Sequence, residues 1–175
     1  GTHPGQSSIG GVFATNLSGS RRIQVGAARD HLLGVACING WGEPFKSGGR
    51  VMKNVTGYDL CKAVAGSWGT LAVMTEVTMK VLPVAAETRT LLCVGLPDQT
   101  AVDVMTLCLG TPFEVSGTVH LQAPLAAKLS DLDIARSGAA VTAIRVENFP
   151  SAARYRVGRL KDRLAGAYTD APREK

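Results

Sequence analysis

The chain has 175 residues, of which 45% are hydrophobic and 19% charged, and its formal net charge is +5. This composition supports a buried core and excludes an intrinsically disordered chain. No apolar run approaches the ~20 residues that a membrane-spanning helix needs, and the first residues lack the basic and apolar regions of a secretion signal. We therefore expect a soluble intracellular protein of one domain or two small ones.

The cysteines and the basic residues do not indicate a metal site or a nucleic-acid surface. No two of the four cysteines have the close spacing of a zinc or iron–sulfur site, so we expect buried thiols at Cys37, Cys61, Cys93 and Cys108. The densest basic cluster alternates with Val157, Leu160 and Leu164, which is typical of the solvent face of a helix; a nucleic-acid patch is the less favoured alternative. Its members are Arg154, Arg156, Arg159, Lys161 and Arg163.

The first half of the chain predicts loops, a hairpin, a short helix and a strand. Residues 1–22 are rich in Gly, Ser, Thr and Asn and predict a loop. A hairpin is predicted at 31–47 with its turn at 39–42, because Asn and Gly tolerate positive φ. A helix follows at 57–65, then a break at 66–70 and a strand at 71–82. We expect Leu71, Val73, Val77, Met79 and Val81 on one face of that strand, and Glu76, Thr78 and Lys80 on the other.

Beyond Pro83 the pattern changes to a β-α-β-β-α order. Strands are predicted at 88–96, 114–122 and 139–147, and helices at 98–109, 124–130 and 151–166. A ferredoxin-like unit needs one more strand, which we do not expect the last nine residues to supply. The chain therefore predicts an α+β protein with units at 1–85 and 86–175, both of its ends lying inside larger domains.

Two glycine- and hydroxyl-rich loops are candidates for ligand binding. The first combines residues 7–11 with 14–19, and the second spans 66–70. Glycine lets a ligand approach the main chain closely, and exposed N–H groups and hydroxyls suit a pyrophosphate. Surface turns use the same residue types, so the alternative of a plain turn stays open for each loop. The P-loop, GxGxxG, HExxH and GxSxG signatures are absent from the sequence.

Three sequence blocks in fixed order carry a family resemblance: GGVFATNLSG, RRIQVGAARDHLLGV and KNVTGYDLCKAVAGSWGTLAVMTEV. Together they resemble the FAD-binding PCMH-type domain of the vanillyl-alcohol-oxidase superfamily, and most of all the FAD-binding E subunits of glycolate oxidases. The resemblance covers residues 5–83 and extends more weakly to about 166. It implies that residues 1–85 are the C-terminal part of an FAD-binding domain and that 86–175 are a partial ferredoxin-like cap. It also implies a fragment, because a first FAD-binding subdomain would precede residue 1.

The resemblance also implies site residues. The cofactor FAD would lie against Ser8, Gly10, Gly11, Ala14, Thr15, Ser18, Gly19, Gly66, Gly69, Thr70 and Val73, with Lys53 and Tyr58 as candidates for the flavin edge. Trp68 stands where relatives in the D-lactate branch usually carry Glu, and Ala72 where Gly is usual. His120 is a candidate catalytic residue, because imidazole titrates near neutral pH. Arg145 is a candidate to bind a substrate carboxylate. For both, a structural role is the alternative.

The implied function is that of an FAD-binding component of a glycolate-oxidase-like 2-hydroxy-acid dehydrogenase. Its substrate would be glycolate or D-lactate, and its partners a second flavin subunit and an iron–sulfur subunit that takes the electrons. We expect a cytoplasmic protein, or one held at the inner membrane through its partners, with no nucleic acid bound. Two alternatives stay open: a non-catalytic assembly subunit that keeps the fold, and a stand-alone D-lactate-type flavin dehydrogenase.

Overall fold

The chain divides into two compact units, Gly1–Pro83 and Val84–Lys175. A computed structural model describes residues 8–53, 57–167 and 173–174. We describe each unit by itself. The assignment of the first unit to an FAD-binding domain and of the second to a cap stays a prediction.

The first unit contains a three-stranded antiparallel sheet with four short helices. Its elements are α1 (Ile9–Ala14), α2 (Arg22–Val25), α3 (Ala28–His31), β1 (Leu32–Asn39), β2 (Pro44–Gly48), α4 (Leu60–Val64) and β3 (Ala72–Met79). The strand order is β2-β1-β3. The predicted hairpin is confirmed by the antiparallel pairing of β1 with β2. Asn39 closes the turn, since its Oδ1 accepts from the N–H groups of Trp41 (3.0 Å) and Glu43 (2.9 Å).

The prediction of an N-terminal loop is wrong for the residues of α1, and positions 1–7 lie outside the described residues. Ser8 has an extended backbone, and its Oγ accepts a hydrogen bond from the N–H of Gly11 at 3.0 Å. This contact is a helix N-cap, which satisfies one of the N–H groups that the first turn leaves without a partner. Phe13 on the same helix is buried. Capping and burial therefore override the low helix propensity of Gly10 and Gly11.

The predicted faces of β3 hold for Val77 but are wrong for Leu71 and Val73, which precede a β-bulge in the strand. Cys37 of β1 pairs with Met74 and Ala36 with Glu76, so Thr75 has no partner residue in the ladder. The Oγ1 of Thr75 instead donates to the Ala36 carbonyl at 3.1 Å. The extra residue reverses the alternation of side chains between the two faces. The core contacts consequently come from Ala72, Met74 and Val77, while Leu71 and Val73 are 59% and 64% exposed.

The core of the first unit lies between the sheet and helices α1 and α4. Its buried members are Phe13, Leu32, Val35, Cys37, Cys61, Val64, Ala65 and Ala72. Gly34 and Gly48 are opposite each other in β1 and β2. A Cβ atom built on Gly34 would lie 2.7 Å from the Gly49 nitrogen. The edge of this sheet is therefore packed backbone against backbone.

The second unit contains a four-stranded antiparallel sheet with two long helices. Its elements are β4 (Glu87–Val94), α5 (Asp98–Leu109), β5 (Val115–Leu121), α6 (Ala123–Ala126), α7 (Leu132–Ala135), β6 (Val141–Asn148), α8 (Pro150–Ala167) and β7 (Arg173–Glu174). The strand order is β5-β6-β4-β7. The expectation that the last residues supply no strand is wrong, since Arg173 and Glu174 pair with Leu92 and Leu91. The unit thus has the β-α-β-β-α-β order of a ferredoxin-like fold, and the predicted α+β class is confirmed.

The core of the second unit forms where α5 and α8 cover one face of the sheet. The inward stripe predicted for α8 is confirmed, since Val157 and Leu160 are fully buried and Leu164 nearly so. They pack with Ala101, Val104 and Cys108 of α5 and with Leu91, Ile144 and Val146 of the sheet. The period of 3.6 residues that predicted this face therefore holds over the whole helix.

All four cysteines are buried and free, as predicted. Burial raises the pKa of Cys93 to about 11 and the pKa of Cys108 to about 12, from an ordinary value of 9.0. Burial, followed by the nearby Cys61 thiol, also raises the pKa of Cys37. We expect these thiols to react with Ellman's reagent at pH 8 only as fast as the fold opens, because the thiolate is the reactive form.

The same shifts fix the direction of a pH effect on stability. Thiols of the unfolded chain ionise near their ordinary pKa, whereas Cys93 and Cys108 of the folded chain keep their protons to a higher pH. The folded state then binds more protons, so the free energy of unfolding should fall as pH rises from about 9 through 11 to 12. Urea titrations along this range measure the effect. A free energy of unfolding that rises with pH over this range would contradict the burial of Cys93 and Cys108. Rapid labelling of the folded chain by Ellman's reagent would contradict it as well.

In the part of the chain that the structure describes, no helix has the length and apolar character to cross a bilayer. The same residues contain no group of three or more His, Cys, Asp or Glu side chains that could hold a metal ion.

Candidate functional site

The two predicted ligand loops meet in the first unit. The N–H of Gly66 donates to the Phe13 carbonyl at 3.0 Å, and the N–H of Trp68 donates to the Ala14 carbonyl at 2.8 Å. These hydrogen bonds join the end of α1 to the turn that precedes β3. We call residues 14–19 and 66–70 together the two-loop surface. Two segments about fifty positions apart in sequence are thus held side by side and form one surface.

The two-loop surface contains four residues with positive φ. Gly66 (84°) and Gly69 (76°) adopt this conformation at little cost, and Asn16 (52°) is among the residue types that tolerate it. Asn16 is held there because its Oδ1 accepts from the Arg29 N–H at 2.9 Å. Trp68 also has positive φ, at 58°, which is strained for a bulky side chain. Such strain persists only where surrounding contacts enforce it, and it is frequent at ligand sites.

The hydroxyl groups predicted to bind the ligand are mostly engaged within the loops themselves. Thr15 Oγ1 donates to the Gly11 carbonyl at 2.8 Å, and Thr70 Oγ1 donates to the Ser67 carbonyl at 2.6 Å. Ser18 Oγ accepts from the Ala28 N–H at 2.9 Å and lies 3.1 Å from the Asn16 carbonyl. These side chains therefore shape the loops, and a ligand would be bound chiefly by main-chain groups.

Two glycines of the surface face open space. A Cβ atom built on Gly19 or Gly69 would have no heavy atom within 4 Å. Their N–H groups donate no hydrogen bond to any residue that the structure describes. Gly10 and Gly11 differ, since a Cβ there would lie 3.9 Å from the Met74 carbonyl oxygen and 3.2 Å from Ser8 Oγ respectively. The positions with open space are thus Gly19 and Gly69, whereas a Cβ at Gly10 or Gly11 would contact a neighbouring residue.

One polar atom of the second loop was missed by the sequence analysis. The Oγ of Ser67 is buried and has no hydrogen-bond partner among the described residues. A buried hydroxyl without a partner costs free energy, which a ligand contact would recover. The sequence signal was present in the run Gly66-Ser67-Trp68-Gly69, but only coordinates distinguish a buried hydroxyl from an exposed one. Val73, which was predicted, lies on the exposed face of β3.

Lys53 and Tyr58 lie elsewhere in the first unit. They line a cavity of about 240 Å³ together with Lys62 and the end of β2. None of the described residues lining this cavity belongs to the two-loop surface. Lys62 Nζ is engaged there by the carbonyls of Arg29 (2.8 Å) and Leu32 (2.6 Å). The role of Lys53 and Tyr58 at the flavin edge stays a prediction, and residues 54–56 of their block lie outside the described part.

The two candidate catalytic residues are in the second unit, and each has partners of its own. His120 Nδ1 lies 2.8 Å from Thr142 Oγ1, and its Nε2 lies 3.1 Å from Asp98 Oδ1. Arg145 Nε donates to Ser116 Oγ at 3.1 Å and lies 3.5 Å from Glu147 Oε2. Contacts to both ring nitrogens favour the structural alternative for His120. The catalytic role of either residue stays a prediction.

Comparisons with known proteins agree with the sequence resemblance. No protein-family model matches the chain. Glycolate oxidase subunit GlcE of Escherichia coli (strain K12) is 49% identical over 78 residues, which are 45% of this chain and 22% of that protein. The uncharacterized FAD-linked oxidoreductase Rv2280 of Mycobacterium tuberculosis (strain ATCC 25618 / H37Rv) is 45% identical over 83 residues, or 46% of this chain and 18% of that protein. The matched parts thus span about a fifth of these relatives.

The fold has a counterpart among solved structures. Alkyldihydroxyacetonephosphate synthase superposes with a TM-score of 0.70 at 17% sequence identity, covering 91% of this chain and 32% of that one. At this identity the likeness concerns the fold alone. The resemblance predicted from the three sequence blocks is confirmed to this extent: the chain is similar in sequence to glycolate oxidase subunit GlcE and to FAD-linked oxidoreductases.

Proposed function

We propose that the chain is a flavin-binding part of an FAD-linked oxidoreductase that acts on a small 2-hydroxy acid such as glycolate or D-lactate. The observation that carries the proposal is the contact between the two predicted loops through the Phe13 and Ala14 carbonyls. The loops that the resemblance assigns to FAD are thereby adjacent. The identity to GlcE over 78 residues supports the substrate class.

The residues of the two-loop surface fit a pyrophosphate-bearing cofactor. Gly19 and Gly69 offer open space and N–H groups without a partner among the described residues, and the buried Ser67 Oγ offers one more polar contact. Successive main-chain N–H groups in a concave turn bind anions well. We therefore assign Gly19, Ser67 and Gly69 to the cofactor contact, and we assign Thr15, Ser18 and Thr70 to the support of these loops.

A bound flavin would supply the two-electron acceptor that oxidation of an alcohol requires. The chain's own contribution is to bind and orient the cofactor and, through Arg145, to bind the carboxylate of the acid, since a guanidinium matches two carboxylate oxygens. Electrons would then leave to an iron–sulfur partner, and a second flavin subunit would complete the assembly in the cytoplasm. Of this arrangement, the names of GlcE and GlcD as subunits support the assembly of more than one subunit.

The proposal is tested by FAD titration of the full chain and of a matched pair of variants. Gly69 and Gly42 both have positive φ (76° and 80°) and open space for a Cβ, but Gly42 is in the β1–β2 turn. Asp tolerates this conformation, so Gly69→Asp and Gly42→Asp should cost similar stability. We expect Gly69→Asp to weaken FAD binding at least about tenfold, because its carboxylate would repel the pyrophosphate, and Gly42→Asp to leave binding unchanged.

Flavin fluorescence anisotropy measures the affinity, and bleaching of the flavin absorbance by glycolate or D-lactate measures the reaction. Equal effects of the two variants, or no FAD binding by the unaltered chain, would contradict the cofactor assignment. Binding without bleaching by either acid would contradict the enzymatic part and favour the assembly subunit.

A further inference from the structure

The second unit contains a surface cavity that the proposed function does not use. It has a volume of about 490 Å³ and lies between the end of α5, the loop that follows it and α8. Its lining combines the apolar side chains of Leu107, Pro112 and Phe113 with the charged side chains of Arg159, Asp162 and Arg163. The volume is within the range of small-molecule sites, which typically combine an apolar wall with a few polar groups.

The charges of α8 next to the cavity are unevenly neutralised. Arg156 forms an ion pair with Glu114, and Arg159 NH1 lies 3.7 Å from Asp162 Oδ2. Arg163 forms no hydrogen bond or ion pair with any residue that the structure describes. The lining thus contains two guanidinium groups and one carboxylate, so its net charge is positive.

The Arg163 guanidinium forms no hydrogen bond to the carbonyls at the end of α5. Two of the last four carbonyls of that helix are bound by the residues that follow it: Gly110 N–H donates to Thr106, and Thr111 donates to Cys108 through both its N–H and its Oγ1 (2.6 Å). The positive charge of Arg163 nevertheless lies near enough to lower the pKa of the Cys108 thiol, against the larger opposite effect of burial. Arg163 itself lines the cavity together with Leu107 and Gly110 at the end of α5.

We propose that this cavity is a binding site for a small organic anion, with its carboxylate bound by Arg163 and Arg159 and its ring or short alkyl chain against Leu107 and Phe113. The guanidinium fork matches a carboxylate through two parallel hydrogen bonds. The apolar wall adds a favourable contact only for a ligand with an apolar body. Glycolate, which has no such body, is therefore a poor ligand. The site does not depend on the proposed flavin chemistry.

The test is a ¹H–¹⁵N correlation titration of the full chain with benzoate, benzamide and glycolate. Benzoate should shift the amides of residues 107–111, 113 and 159–163 in a saturable way, and benzamide and glycolate should bind at least tenfold more weakly. Arg163→Gln should weaken benzoate binding at least tenfold. Arg154→Gln is the matched control, because Arg154 is an exposed arginine of the same helix that does not line the cavity; we expect less than a twofold change.

Three outcomes would overturn the site. The first is equal binding of benzoate and benzamide, and the second is a set of shifts spread over the whole basic surface. The third is equal weakening by Arg163→Gln and Arg154→Gln. The spectrum of each variant also reports whether it is folded, so a lost site is distinguished from a lost fold.

Discussion

Replacement of Gly48 by alanine is expected to destabilise the first unit by more than about 4 kcal/mol or to prevent its folding. The new Cβ would overlap the Leu33 carbonyl oxygen and would lie 2.8 Å from Cys61 Sγ. Gly48 also has φ of 71°, where a Cβ is strained. Neither neighbour can move easily, since one is main chain of the central strand and the other is buried in the core.

The matched control is Gly42→Ala. Gly42 has φ of 80°, but no heavy atom lies within 4 Å of the Cβ position, so only the strain of about 1 kcal/mol remains. Hydrogen exchange read by mass spectrometry distinguishes the two units, and the amides of β1–β3 should lose protection in Gly48→Ala while those of β4–β6 keep it. A Gly48→Ala protein as stable as Gly42→Ala would show that β1 and β2 are not packed this closely.

Replacement of Leu160 by alanine should destabilise the second unit by about 2–5 kcal/mol. Leu160 is fully buried in the middle of α8 and belongs to the cluster formed by both helices and the sheet. Its removal loses apolar burial and leaves a cavity that the surrounding strands can fill only in part. Denaturant titration gives the free energy, and hydrogen exchange assigns it to the second unit.

Leu132→Ala is the control for this change, because Leu132 is a helical leucine of the same unit that is 60% exposed. We expect it to change the free energy of unfolding by less than about 0.5 kcal/mol. Similar losses for the two leucines would mean that α8 does not pack on the sheet as described.

The sequence predicted best the elements with a sustained hydrophobic period. Helix α5 has the predicted bounds, 98–109, and α8 has the predicted inward face. Helices α2, α3 and α7 have only four residues each. A single turn contains too few positions to establish a period, so contacts outside the segment decide whether it forms.

The reversed faces of β3 show a different limit. Alternation in sequence predicts the buried side only if the strand is regular, and one unpaired residue, Thr75, reverses the order from that point. The bulge depends on the partner strand, which local sequence does not describe. For the same reason the pairing of Arg173 with Leu92 could not be predicted from the last nine residues alone.

For the candidate site, the sequence predicted which loops come together but not which atoms face outward. Gly19 and Gly69 have the open positions that a ligand needs, whereas Thr15, Ser18 and Thr70 are occupied by their own loops. Ser67 was not selected, although its hydroxyl is the buried one without a partner among the described residues. Composition identifies loops suited to a ligand, but hydrogen bonding within a loop is a property of its conformation.

The hydrogen bonds from Gly66 and Trp68 to the end of α1 couple the stability of the two loops. Substitutions in the first loop should therefore alter the cost of substitutions in the second, and their free energies should not add. The two segments are thus constrained to vary together, and neither can be exchanged for that of a relative without its counterpart.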